Sequence, residues 1–316
     1  MTITTNTPHH PHEAGAAAGA FELAERRLLS EYGIAFDSRH VRLSDPALDV
    51  RVLETGSGAP IVLVHGSGMS APTWAPLLAY IGDRRVHAVD LPGFGLSAEH
   101  DYSGRPLRAH AVAQLDSLLD ALRLDRATIV GTSLGAMWAL CMALDRPERV
   151  EAVIGLGVPA VALAGMKGDP FFRAMTTPGL RRLVSRAPAP KNATATRRAT
   201  VKALGRPAAE RMPDSYFEVI RATMLMPGWR VAMFSHLNLA MRSGRARPEN
   251  VFTDDELRGI DVPVRMIFGD RDVYGGPEIG ARAVELMPDA RLEVISGGHA
   301  PFLDDPAHCA ALIKQL

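Results

Sequence analysis

The stretch from Ala127 to Leu144 constrains this chain more than any other. Ala127-Thr128-Ile129-Val130 is a short, β-branched run of the kind that forms a buried parallel strand. Leu134 to Leu144 is apolar, carries no glycine or proline after Gly135, and stops at Asp145-Arg146-Pro147, which predicts a helix ended by proline. Between strand and helix lie Gly131-Thr132-Ser133-Leu134-Gly135. A strand that turns directly into a helix forces the residue at the turn into a strained backbone conformation, tolerable only where small residues flank it. Gly131 and Gly135 supply that clearance. The Ser133 hydroxyl is therefore expected above the sheet edge, with the first helical amides, beginning with Leu134, aimed at the same point.

The runs on either side extend the pattern. Pro60–Val64, Arg85–Val89 and Val150–Leu156 read as further buried strands, and Leu107–Leu122 carries the apolar stripe of a sheet-covering helix. Strand and helix alternate, which predicts a parallel sheet covered on both faces. Val41-Arg42-Leu43 and Leu48 to Glu54, separated by Ser44-Asp45-Pro46, read as an antiparallel hairpin on a sheet edge. Residues 1–35 form an N-terminal arm: 1–18 are polar and rich in alanine and glycine, predicting disorder, and Phe21–Tyr32 has the spacing of an amphipathic helix. From 159 to 250 the pattern stops. This stretch has no strand-like run, holds seven of the 13 methionines, and carries 16 Lys/Arg against 5 Asp/Glu. Helical segments near 170–186, 194–205, 214–226 and 228–242 make it an inserted helical unit. The sheet pattern resumes at Val262–Phe268, with a helix over Glu278–Met287, a strand over Arg291–Ile295 and a closing helix over 306–315.

Ligands in such sheets bind beyond the carboxyl ends of the strands. Three useful groups fall there in the order Ser133, an aspartate after Phe268, and His299 after Ile295. Serine is a poor nucleophile unless an imidazole takes its proton, and a carboxylate must orient that ring. Asp270 and Asp272 both follow Phe268 closely enough to serve. His65-Gly66-Ser67-Gly68-Met69 follows another strand, and glycine there lets backbone amides turn toward a developing oxyanion. His65 reads as scaffold and Asp90 as a turn-stabilising residue.

These residues together resemble the α/β-hydrolase superfamily over about 41–158 and 251–316. The features are the elbow around Ser133, His65-Gly66-Ser67-Gly68, the turn Asp90-Leu91-Pro92-Gly93-Phe94-Gly95-Leu96-Ser97, Gly269-x-x-Asp272, and Gly298-His299-Ala300-Pro301-Phe302. The resemblance implies an α/β-hydrolase fold, with a mostly parallel central sheet flanked by helices in a core of 36–158 and 251–316. Residues 159–250 would then be a helical cap over the site. It places the catalytic acid third after the glycine, at Asp272, and leaves Asp270 as a loop residue. The alternative acid position in some relatives reads Gly155-Leu156-Gly157-Val158-Pro159 here, with no carboxylate. It also places the oxyanion donors on the backbone amides of Ser67 and Leu134.

The activity so implied is cleavage of a carboxylic ester through an acyl-enzyme on Ser133, with Asp272 and His299 completing the catalytic triad. Hydrolysis of an activated carbon–carbon bond, cofactor-free perhydrolysis, or a non-catalytic receptor retaining the fold are the competing readings. Relatives that cleave carbon–carbon bonds usually have a more glycine-rich oxyanion loop. A serine at the elbow excludes epoxide hydrolysis and dehalogenation through an aspartate nucleophile. In the cap, Met224, Met226, Met233 and Met241 with Phe217, Trp229 and Phe234 are candidates for an adaptable apolar pocket, Met226, Trp229, Met233 and Phe234 foremost.

Composition narrows the partners. Lys+Arg and Asp+Glu both number 35, which points to neither nucleic acid nor a membrane surface, and no run of ~18 apolar residues marks a span. Cys141 and Cys309 sit in apolar helical contexts, as free thiols of a cytoplasmic protein would. His9, His10 and His12 lack a completing ligand, and no phosphate-binding glycine loop occurs, so no metal and no cofactor are expected. The expected partner is a small-molecule substrate.

Overall fold

Strands form where the apolar runs predict them, β7 and β8 apart: β1 (Asp37–Arg42), β2 (Asp49–Thr55), β3 (Pro60–Val64), β4 (Arg85–Val89), β5 (Ala127–Thr132), β6 (Val150–Leu156), β7 (Met241–Arg242), β8 (Arg245–Ala246), β9 (Val264–Gly269) and β10 (Ala290–Ile295). The computed structural model that defines them describes residues 11–315. Eight strands join one sheet in the order β1-β2-β4-β3-β5-β6-β9-β10. The β1–β2 and β2–β4 pairs are antiparallel, and all other neighbours are parallel. The elbow strand β5 lies inside the sheet and is buried at all six positions.

Alternation along the strands divides the core between the two faces. Val62 and Val64 of β3 join one cluster with Trp138 and Leu115, while Ile61 and Leu63 join the other with Trp74 and Phe302. The helices Leu107–Leu122 and Leu134–Asp145 belong to the first cluster, and the closing helix Pro306–Lys314 to the second.

The edges differ from the sequence expectation for a physical reason. Strand β1 begins at Asp37, ahead of Val41, because it is an edge strand with only Val41 buried, and its solvent-facing residues carry no apolar signal. Its pairing with β2 sets Val41 opposite Val50.

The N-terminal helix also starts early, at Pro11, so residues 11–18 are helical where disorder was expected. Alanine is the best helix former and outweighs the one glycine of that stretch, Gly15. Residues 1–10, with the rest of that expectation and His9 and His10, lie outside the described residues. The helix buries Phe21, Leu28 and Leu29. Its Glu25 reaches the fully buried Arg51 at 2.6 Å, and Arg51 in turn lies 3.7 Å from Asp90. Burial raises the Glu25 pKa to about 7 against the pull of Arg51.

Between β6 and β7 the chain forms six helices: Pro170–Thr176, Pro178–Val184, Ala193–Leu204, Arg206–Arg211, Asp214–Leu225 and Trp229–Ala240. The single segment expected near 170–186 is two helices, since the residue before a proline is driven out of the helical region and Thr177 precedes Pro178. The β7–β8 hairpin was not expected, and strands of two residues are too short to show alternation. Cys141 and Cys309 are free and buried. Among the described residues no helix is long and apolar enough to cross a membrane.

Candidate active site

Ser133 has φ 52° and ψ −111°, the strained conformation that the strand-to-helix turn demands. The flanking glycines are obligatory. A Cβ on Gly131 would lie 2.2 Å from the Gly135 carbonyl carbon, and one on Gly135 would lie 2.0 Å from the Val64 oxygen. Leu134 is the first residue of the following helix, so its N–H has no carbonyl one turn back to accept it.

His299 follows β10 across a glycine pair, and its Nδ1 lies 2.8 Å from Asp272 Oδ2. The same oxygen accepts the Val158 N–H at 3.0 Å, and Oδ1 accepts the Tyr274 N–H at 2.9 Å. The loop after β6, which has no carboxylate of its own, thus supplies a donor to the carboxylate after β9. Burial pushes the Asp272 pKa up. Attraction to His299, the bond from its ring and the two backbone donors outweigh this and hold the carboxyl below its ordinary value. Asp270 faces elsewhere: its Oδ1 accepts the Gly297 N–H at 2.9 Å, and Oδ2 accepts from Arg271 at 3.1 Å. The structure therefore pairs His299 with Asp272, and Asp270 ties the two loops together.

The loop after β3 runs against the elbow, close enough that a Cβ on Gly66 would lie 3.4 Å from the Ser133 Cβ. His65 is fully buried beneath it. Its Nδ1 donates to the Gly66 carbonyl at 2.8 Å, and its Nε2 accepts the Leu91 N–H at 3.0 Å. Burial lowers its pKa, which favours this neutral, scaffolding form. Asp90 accepts the Ala71 and Leu96 N–H groups at 2.6 and 3.0 Å, binding two turns together.

Ser67, Ser133, Leu134 and His299 border a cavity of about 30 Å³, room for one or two waters. Its far wall is apolar and comes largely from the insert: Met166, Phe172, Leu237, Ala240 and Met241, with Ala160 and Val161. The Tyr274 ring stands edge-on to His299 at 4.5 Å and against Phe172 at 5.2 Å. Of the cap candidates only Met241 lines the cavity, and Met226, Trp229, Met233 and Phe234 do not. The helix Trp229–Ala240 turns His236, Leu237 and Ala240 to the cavity, whereas Trp229 and Met233 pack on Gly68. Composition identified the apolar insert but not which stripe faces inward. His236 and Tyr274 were missed altogether, the latter despite lying two residues after Asp272.

A family match decides what this arrangement is. The alpha/beta hydrolase family matches residues 61–312. The chain belongs to that family. This α/β hydrolase is 28% identical over 278 residues, 82% of the chain and 87% of the relative, to a 2-hydroxy-6-oxononadienedioate/2-hydroxy-6-oxononatrienedioate hydrolase of Cupriavidus pinatubonensis. Its fold matches that of a Bacillus subtilis carboxylesterase with a TM-score of 0.75 at 22% identity, over 95% of this chain and 98% of the other. It also matches a meta-cleavage product hydrolase from Pseudomonas fluorescens IP01 with a TM-score of 0.69 at 19% identity, over 88% and 96% of the two chains. Hydrolase chemistry is common to all three relatives.

Proposed function

We propose that this α/β hydrolase cleaves carboxylic esters of small, uncharged, apolar acyl groups through an acyl-enzyme on Ser133. The observation that carries the reading is the wall opposite Ser133, which is aliphatic and aromatic and holds no Lys or Arg. The His299 ring donates from Nδ1 to Asp272, which leaves Nε2 to take the Ser133 proton as the oxygen attacks the ester carbonyl. The Ser67 and Leu134 amides receive the oxyanion, each worth ~3 kcal/mol in the transition state. The imidazolium then returns its proton to the departing alcohol. Water, deprotonated by the same nitrogen, attacks the acyl-enzyme and releases the acid and Ser133. Residues 159–250 act as the cap, and Leu237, Ala240 and Met241 rather than Met226 or Met233 contact the acyl group.

A second reading, hydrolysis of an activated carbon–carbon bond on the same residues, is favoured by the likeness to the Cupriavidus enzyme. That enzyme's substrate carries two carboxylates by its name. Burying an unpaired carboxylate against this wall would cost several kcal/mol. Comparing kcat/KM for p-nitrophenyl acetate, butyrate and octanoate with kcat/KM for 2-hydroxy-6-oxononadienedioate separates the two. The proposal expects the short neutral esters to exceed the dicarboxylate by ~100-fold or more, consistent with that penalty. The reverse order would overturn it.

A further inference from the structure

The loop that bears the oxyanion donor is held from the sheet side at Gly66 and Ala71 and from the insert between them. Three bonds from two insert helices reach three of its residues. Trp229 Nε1 donates to the Gly68 carbonyl at 3.0 Å. His236 Nε2 lies 3.0 Å from Ser67 Oγ, and the Ser70 and Thr223 hydroxyls are 2.8 Å apart. Trp229, Met233 and His236 follow the i, i+4, i+7 spacing of one helix stripe, so a single face delivers both ring contacts, with Met233 packed on Gly68 between them. The proton positions at His236 follow from its partners. Its Nδ1 lies 2.8 Å from the Ala232 carbonyl, which can only accept, so Nδ1 carries the hydrogen and Nε2 accepts from the Ser67 hydroxyl. Burial lowers the His236 pKa to about 4, which keeps this neutral form at working pH. The next residues of the same helix, Leu237 and Ala240, close a cavity that has room for no more than one or two waters. On the serine hydrolase reading, an ester larger than that space displaces the helix that anchors the loop.

We infer that Trp229 and His236 are positioning residues that make assembly of the oxyanion hole conditional on closure of the insert. Opening admits the ester and releases Ser67 and Gly68; closing seals the acyl group and returns the Ser67 amide to its place beside Ser133. Binding and chemistry are thereby coupled through one helix, an arrangement that rewards only substrates small enough to let it close. The inference rests on the serine hydrolase reading.

The test uses His236→Phe, which keeps a ring and loses the bond; His236→Gln, whose amide can restore a polar contact to Ser67; and Trp229→Phe, which removes one N–H. Each is assayed on p-nitrophenyl acetate, with thermal unfolding as the check on folding. The expected result is a kcat lowered ~10-fold by His236→Phe and ~3-fold or more by Trp229→Phe at nearly unchanged KM, with His236→Gln within ~3-fold of the parent, since an interaction made in the transition state is lost. Raised KM at unchanged kcat would make these residues mere cavity wall and overturn the inference. Equal kcat for His236→Phe and His236→Gln would overturn it as well. An active parent with unaffected variants defeats the coupling alone, whereas a parent inert toward every ester defeats the hydrolase reading and the coupling with it.

Discussion

The two walls of the cavity are built by different means. On the sheet side, Ser133, Asp272 and His299 stand at strand ends, and backbone N–H groups of Val158 and Tyr274 fix the carboxylate. On the insert side, Phe172 and Leu237 on helices and Met241 on β7 present apolar side chains. Reaction geometry on one side depends on backbone position and tolerates no volume change, as the contacts at Gly131 and Gly135 demonstrate. Recognition on the other is expected to depend on side-chain volume at Leu237 and Met241, while Trp229 and His236 tie the same helix to the oxyanion loop.

Substitutions can break this contrast, and the largest effect belongs to the sheet side. Ser133→Ala should lower ester kcat by ~10⁵-fold while leaving thermal unfolding nearly unchanged, because a triad without its nucleophile retains little beyond binding. Steady-state kinetics on p-nitrophenyl butyrate will check it, and more than a few per cent residual kcat would mean another nucleophile. Asp272→Asn comes next, with an expected loss of ~10⁴-fold, since the amide stabilises the wrong tautomer of His299. Asp270→Asn should cost only a few-fold on the same assay, because that carboxylate bonds Gly297 and Arg271 rather than His299. If Asp270→Asn is the more damaging, the acid is misassigned.

On the insert side the effects are smaller and change selectivity instead of rate. Leu237→Phe fills part of the cavity and should shift the preferred acyl chain shorter, by ~4-fold in relative kcat/KM per methylene, the equivalent of ~0.8 kcal/mol. The pH–rate profile should stay that of the parent. Met226→Leu should be smallest, leaving the acyl-length preference within ~2-fold because the substitution conserves volume away from the cavity. A chain-length series on both variants tests the pair. A shift from Met226→Leu larger than that from Leu237→Phe would place recognition on the other helix stripe.

The same contrast explains what could be read in the sequence. Gly131-x-Ser133-x-Gly135 was legible because backbone geometry restricts its flanking positions to glycine, and His299 because it follows a late strand across a glycine pair, whereas the choice of Asp272 over Asp270 came from the family resemblance. The sheet was legible at β3, β5 and the Ala152–Leu156 part of β6, where the strands are buried on both faces, and less so at β1, where a single residue is buried. The helices of the insert were legible as a region. Their inward face was not, because apolar residues surround the helix Trp229–Ala240 and its orientation is set by contacts with Ser67 and Gly68 far away in sequence. His236 carried no local signal for the same reason. The tie between Glu25 and Arg51 was equally silent, since a charged residue on an amphipathic helix reads as solvent-facing unless its partner is known.

The most direct test of the account is the mass of the intact protein after rapid acid quench during turnover of p-nitrophenyl butyrate. The account predicts a butyryl adduct that peptide mapping assigns to Ser133 and that is absent from Ser133→Ala. Turnover with no adduct on the parent, or with the acyl group on another residue, would contradict it.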